Sequence, residues 1–277
     1  MALKTANRDG INLCYVDEGA GDPPLLFVHR WCCAHSHWRD QTSEFGLTNR
    51  VVAVDLRGHG ASDKPDQNYT IGGFVDDVAW LIGKTGLQRP VVIGHSMGGV
   101  ITCQPRAQAP KSIRAAVIVD SPLTPMGPQF EPIRQQISAG LRSPQYQQVA
   151  SQFISNFLFR EDSPAALREE VIEGMTSASQ RVMHSAIEST FDEQYLQPGS
   201  LPVPALFARA ATLPVTEEQL PGSHSRHGSA DVGLRALRAD GAATRVQPAS
   251  ARVPGESAIY GPLVPRYRGM SGRERLR

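Results

Sequence analysis

Along the first 120 residues, short runs of β-branched and aliphatic residues alternate with amphipathic stretches. Ile11 to Val16 and Leu25 to Val28 read as strands, separated by the turn-forming cluster Gly19-Ala-Gly-Asp-Pro-Pro24. Val51 to Asp55, Val91 to Gly94 and Ala115 to Val119 have the length and apolar continuity of buried strands. Between Asp55 and Val91, Thr70 stands at the N-cap of a predicted helix in which Phe74, Val78, Leu81 and Ile82 share a face. Asp76 and Asp77 are expected to look outward, and the helix to end near Gly83 or Gly86. Strands alternating with helices predict an α/β fold. Its sheet is mostly parallel with helices on both faces, and its reactive groups gather at the carboxyl ends of strands.

From about 125 to 200 the apolar spacing becomes purely helical, over Phe130 to Leu141, Gln145 to Phe157, Pro164 to Met175 and Ala178 to Phe191. A helical cap inserted between strands is the natural placement. Pro202-Val-Pro-Ala-Leu-Phe-Ala208 then returns to the sheet. The predicted organisation is a first part of the core over 1–120, a cap over 121–200, a core strand with its following segment over 201–220, and an atypical tail over 221–277.

Composition narrows this picture. Hydrophobic content of 40% with 20% charged residues is ordinary for a soluble globular chain. No run approaches 18 apolar residues and Met-Ala-Leu-Lys-Thr-Ala-Asn-Arg-Asp-Gly lacks a signal-peptide core, so the expectation is a cytoplasmic protein with no membrane partner. Cys14, Cys32, Cys33 and Cys103 are too few and too irregularly spaced for a disulfide framework or a zinc site, and read as thiols with no metal. Charge is uneven: residues 1–220 hold 18 Lys and Arg against 23 Asp and Glu, whereas 221–277 hold 10 Arg, no Lys and 4 acids. An Arg-rich tail can bind nucleic acid. Its Ala, Gly, Ser and Pro richness reads better as disorder, and no nucleic-acid partner is expected.

The candidate chemistry lies at Gly94-His95-Ser96-Met97-Gly98, directly after a predicted strand and before a helical stretch, Gly99 to Ala109. This is the G-x-S-x-G pattern in its strand-turn-helix setting, where a tight turn lifts the serine Oγ clear of the sheet and aims helix N-terminal amides at a developing oxyanion. With Leu25-Leu-Phe-Val-His29, Trp31 and Val51-Val-Ala-Val-Asp-Leu-Arg-Gly-His-Gly-Ala-Ser-Asp-Lys-Pro65, the chain resembles the α/β-hydrolase family over residues 10 to 220. The resemblance implies Ser96 as nucleophile and an oxyanion hole made by the amides of Trp31 and Met97. It makes His59, Asp63 and His95 structural, puts His184 on the cap, and leaves His29 and Arg30 as candidate substrate contacts. It implies no cofactor.

Three departures from the family matter. Arg30 stands where the family has glycine; if that position needs positive φ, the arginine costs about 1 kcal/mol or more and hangs a cation over the pocket. Pro105 interrupts the helix after Ser96, an interior position where proline costs roughly 3 kcal/mol. The family's usual acid position follows Ala205 to Ala208, but Arg209-Ala-Ala-Thr-Leu-Pro-Val215 has no carboxylate; Asp120, at the end of Ala115 to Val119, matches the alternative position some family members use and is the expected acid, against a purely structural reading as a turn former ahead of Ser121-Pro122.

The base is missing from its family context. His224 and His227 are the only histidines after the last strand, in Gly222-Ser-His-Ser-Arg-His-Gly-Ser229, with neither a strand before nor a helix after them. They remain the candidate bases of the chain as written. Reading Arg235 to Pro248 in a shifted frame, two bases of each codon plus the first of the next, admits Gly-His-Phe followed by Leu-Met-Glu-Gln-Pro, which is similar to the family's terminal motif. The tail after about Leu220 is therefore expected to be out of frame, with the lost histidine codon straddling Ala236 and Leu237. It should be disordered and leave the sheet edge at Ala205 to Ala208 without a neighbour.

The expected activity is that of a serine hydrolase cleaving a small carboxylic ester or lactone through an acyl-enzyme. Ser96 argues against haloalkane dehalogenases and epoxide hydrolases, family members that use an aspartate nucleophile. A C–C hydrolase, a perhydrolase and a cofactor-free dioxygenase remain alternatives on the same fold. So does a catalytically impaired or non-catalytic hydrolase lacking its histidine.

Overall fold

The computed structural model describes residues 2–104, 113–159, 163–196, 201, 203–208, 235–237 and 243–244. Among the described residues, nine strands form one sheet: β1 (Leu3–Arg8), β2 (Ile11–Glu18), β3 (Leu25–Val28), β4 (Val51–Val54), β5 (Val91–His95), β6 (Ala115–Val119), β7 (Ala205–Ala208), β8 (Arg235–Leu237) and β9 (Ala243–Thr244). Their order is β1-β2-β4-β3-β5-β6-β7-β8-β9. β4, β3, β5, β6 and β7 run parallel, and β1 and β2 extend the sheet antiparallel on one side. The five parallel strands follow from runs such as Val51–Val54, buried throughout, whose aliphatic side chains serve both faces. Because the order reverses at β3, a crevice opens at the carboxyl ends of β3 and β5, which is where this fold class binds ligands.

One face carries the larger core, packed beneath α2 (Ile71–Thr85), α3 (Met97–Thr102) and the cap. The other buries Phe27, Val51, Ala53, Ile93 and Val119 with Trp38 and, from α1 (Arg39–Phe45), Phe45. The segment expected as a cap holds α4 (Glu131–Leu141), α5 (Tyr146–Phe157), α6 (Ala165–Thr176) and α7 (Gln180–Thr190), within two residues of their predicted bounds. α7 is anchored on the core. Ser185 and Ser189 Oγ accept the backbone N–H groups of Tyr69 and Ile71 at 2.9 Å each, satisfying donors at and just before the start of α2. Thr70 Oγ1 accepts from Gly73 N–H, and Gly86 closes the helix at φ 65°, as its sequence predicts.

The structure corrects three expectations here. Asp77 does not look outward: it is 1% exposed and held by Arg8 at 2.6 Å and by both arms of Arg57. Two cations satisfy its charge inside the protein. β1 has no counterpart in the predicted strands, because Leu3–Arg8 is a mostly exposed edge strand without apolar alternation. The outer edge of β7 is not bare either. β8 pairs with it antiparallel, Ala205 opposite Leu237, and β9 follows, since unpaired edge amides and carbonyls accept any extended segment. The rest of 221–277, including His224 and His227, lies outside the described residues, as does Pro105.

Candidate active site

Ser96 follows β5 and immediately precedes Met97, the first residue of α3, at φ 53° and ψ −116°. A non-glycine residue in that region stores about 1–3 kcal/mol of strain, and the surroundings enforce it. Ser96 N–H donates to Val119 O at 2.8 Å, while Ser96 O receives the N–H groups of Gly99 and Val100. The flanking glycines are dictated by close approach: a Cβ at Gly94 would run into the Gly98 carbonyl, and one at Gly98 into the Val28 carbonyl, with His29 O at 2.7 Å. The elbow is thus clamped against the end of β3. The Met97 amide, first in α3, has no intrahelical acceptor.

The loop after β3 supplies the opposite wall. Its strained residue is Cys32, at φ 55°; Arg30 is not in the left-handed region, so the expected backbone penalty at Arg30 is corrected. Cys33 N–H closes a turn on Arg30 O at 3.2 Å. Trp31 is buried, donates its indole N–H to Met183 O on α7 at 2.9 Å and meets Phe153 of α5 edge-on. The residue whose amide is the candidate oxyanion donor is therefore also the tie between loop and cap.

His29 is corrected from a substrate contact to a structural group. Its Nδ1–H donates to Arg30 O at 2.7 Å, and its Nε2 accepts Leu56 N–H at 3.1 Å, leaving no ring nitrogen for a ligand. Burial pushes its pKa down to about 4, against the opposing pull of the Arg30 carbonyl, so it is neutral near pH 7. His59, buried and donating to Arg57 O, is pushed to about 3, first by burial and then by His29. His95 is lowered well below its ordinary value by burial, with Arg30 adding to the effect. Asp63 accepts Asn12 N–H at 2.7 Å in a scaffold role, and His184 sits on α7.

Asp120 lies opposite Ser96. His95 pairs with Val119 across β5 and β6, so the two residues leave adjacent strands side by side. Asp120 is at φ 49° and its N–H donates to Ala208 O at 2.8 Å, which ties this strand end to β7. A histidine–carboxylate pair that the sequence reading missed lies at the end of β4. His35 Nδ1 is 2.9 Å from Asp55 Oδ1, which also accepts His35 N–H, while Asp55 Oδ2 accepts Ala61 N–H. Burial would raise the Asp55 pKa, but these hydrogen bonds bring it below the usual carboxylate value. No histidine among the six described donates to or accepts from Ser96 Oγ. A separate shallow cavity of about 260 Å³, lined by Asn68, Tyr69, Thr70, Glu188 and Tyr195 among others, shares no residue with this site.

A β-strand, a strained serine and a short helix, set between the carboxyl ends of parallel strands, give the strand-turn-helix geometry expected of a candidate nucleophile elbow. The chain belongs to the α/β-hydrolase family: the model for the alpha/beta hydrolase fold matches residues 23–195. It is 34% identical over 115 residues to epoxide hydrolase 1 of Caenorhabditis elegans, covering 40% of this chain and 28% of that protein. It is 33% identical over 121 residues to the bifunctional esterase/perhydrolase of Acinetobacter calcoaceticus, covering 43% of this chain and 44% of the relative. Both matches span less than half of the relative's length. Among solved structures, the enol-lactonase from Burkholderia xenovorans LB400 superposes with a TM-score of 0.62 at 21% identity, over 74% of this chain and 80% of that one, a likeness of fold. Among the described residues, no helix is long and apolar enough to cross a membrane.

Proposed function

We propose that the protein is a serine hydrolase acting on a small carboxylic ester or lactone. The observation that carries this reading is Ser96 itself, held at φ 53° between two glycines that tolerate no side chain. Ser96 Oγ attacks the carbonyl carbon, and the Trp31 and Met97 amides hold the resulting oxyanion. The alcohol leaves to give an acyl-enzyme, which water hydrolyses. Asp120 orients and stabilises the base that takes the serine proton. The likeness to an esterase/perhydrolase and to an enol-lactonase supports the substrate class. Ser96 speaks against an epoxide hydrolase mechanism built on an aspartate nucleophile, despite the similarity to that group.

The base belongs to the terminal motif that the shifted reading frame encodes, and the chain as written is catalytically impaired. What favours this second reading is that none of the six described histidines hydrogen-bonds Ser96 Oγ, with His29, His35, His37 and His59 engaged elsewhere. Hydrolysis of p-nitrophenyl acetate and butyrate, with Ser96→Ala as control, tests the function. Turnover that is lost in the variant supports it, and turnover unchanged in the variant overturns it.

A further inference from the structure

Arg30 is a buried cation in the loop that follows β3, next to Trp31. It is 9% exposed, its Nε is buried without an acceptor, and no described carboxylate lies within ion-pairing distance of its guanidinium. Its loop is pressed on the elbow through the contact of Gly98 with Val28 O and His29 O. Arg30 adds to the lowering of the His95 pKa, and the Asp120 carboxylate opposes the lowering that burial imposes on Arg30 itself. Burial lowers the Arg30 pKa, yet a guanidinium remains protonated at any working pH. The adjoining Cys33 thiol is pushed up to about 12 by burial and stays neutral, as does His37, pushed down to about 4. A buried guanidinium with unused donors is costly unless an anion completes it.

Resting on the proposed hydrolase reading, we propose that Arg30 is a specificity-determining residue: the ester or lactone taken by Ser96 carries a free carboxylate, which the guanidinium grips close to the scissile carbonyl. A planar two-oxygen anion matches the guanidinium fork, and one charge matches one cation. The substrate class is then a half-ester of a short dicarboxylic acid, or a lactone bearing an acid group. A neutral ester of the same length lacks the group that completes Arg30.

Calorimetric titration of the full chain carrying Ser96→Ala, which binds without turnover, separates these possibilities. The probes are monomethyl succinate and its neutral counterpart of similar length, methyl butyrate. Monomethyl succinate is expected to bind at least tenfold more tightly, Arg30→Gln to erase the preference and Arg30→Lys to retain part of it. Arg30→Gly, which introduces the smallest side chain in a loop position free of positive φ, guards against a misfolded glutamine variant and should also erase it. Equal affinity for the two probes, no binding of either, or a preference that survives in both Arg30→Gln and Arg30→Gly overturns the assignment. The hydrolase reading fails separately: preferential binding by the Ser96→Ala chain, with no ester turnover by a frame-restored chain with Ser96, leaves Arg30 as an anion site and removes the enzyme.

Discussion

Replacing Gly98 by alanine would place a methyl group against the Val28 carbonyl oxygen and 2.7 Å from that of His29, with the Val28 carbonyl carbon at 2.9 Å. All three atoms are backbone, so no flexible side chain can yield, and either the end of β3 or the first turn of α3 must move. Such overpacking costs about 1–3 kcal/mol. At about 2–4 °C per kcal/mol for a domain of this size, the melting temperature should fall by about 2–12 °C. The same displacement shifts the Met97 amide and Ser96 relative to the Trp31 loop, and a misplacement of about 1 Å can cost roughly a hundredfold in rate. The assay pairs thermal unfolding followed by circular dichroism with the rate at which a fluorophosphonate labels Ser96. Gly83→Ala is the control: a Cβ there meets nothing within 4 Å inside α2, so helix propensity alone should make it neutral or stabilising by up to about 1 kcal/mol. A Gly98→Ala protein that melts and labels like its parent would refute the clamp between elbow and oxyanion loop.

Further outcomes follow from the buried charges and the site. Asp77→Ala leaves Arg8 and Arg57 without their shared carboxylate and should destabilise the fold by about 3–5 kcal/mol, read in urea unfolding; a loss under 1 kcal/mol would mean that the pair is solvated. His29, His37 and His59 are neutral when folded but take up protons once unfolded, so the unfolded state binds more protons below pH 6.5. Stability should therefore be full above pH 6.5 and fall as pH drops toward about 4, by about 1.4 kcal/mol per pH unit for each histidine; unfolding free energies that are flat from pH 7 to 5 contradict this. Asp120→Asn should lower kcat more than it raises KM, since the carboxylate acts through the base, and full kcat in that variant would make Asp120 structural. Restoring the alternative frame after Leu220 should raise esterase turnover by orders of magnitude over the chain as written. Equal turnover, lost in His224→Ala or His227→Ala, would make that histidine the base.

What the sequence made legible is what is decided locally. Val51–Val54 and Val91–His95 are too apolar to be anything but interior strands, and the elbow is written in five consecutive residues whose glycines the backbone demands. What it concealed depends on distant partners. Asp77 reads as a surface residue of an amphipathic helix until Arg8, sixty-nine positions away, is seen to bury it. The indole of Trp31 reaches Met183 across 152 positions, and no local signal announces that bond. Arg30 misled in another way: the departure from glycine was visible, but the loop takes its left-handed turn at Cys32, so the arginine is accommodated by the backbone and its consequence is electrostatic. The pairing of His35 with Asp55 was equally hidden, because Asp55 sits within a motif that suggested only a structural loop.

The proposed function stands on acylation of Ser96. Peptide mapping after fluorophosphonate treatment, on the chain as written and on the frame-restored chain, tests it most directly. One adduct is expected on the peptide containing Gly94 to Gly98, formed faster in the frame-restored chain and absent in Ser96→Ala. An adduct on any other residue, undiminished labelling of the alanine variant, or no labelling of the frame-restored chain would contradict it.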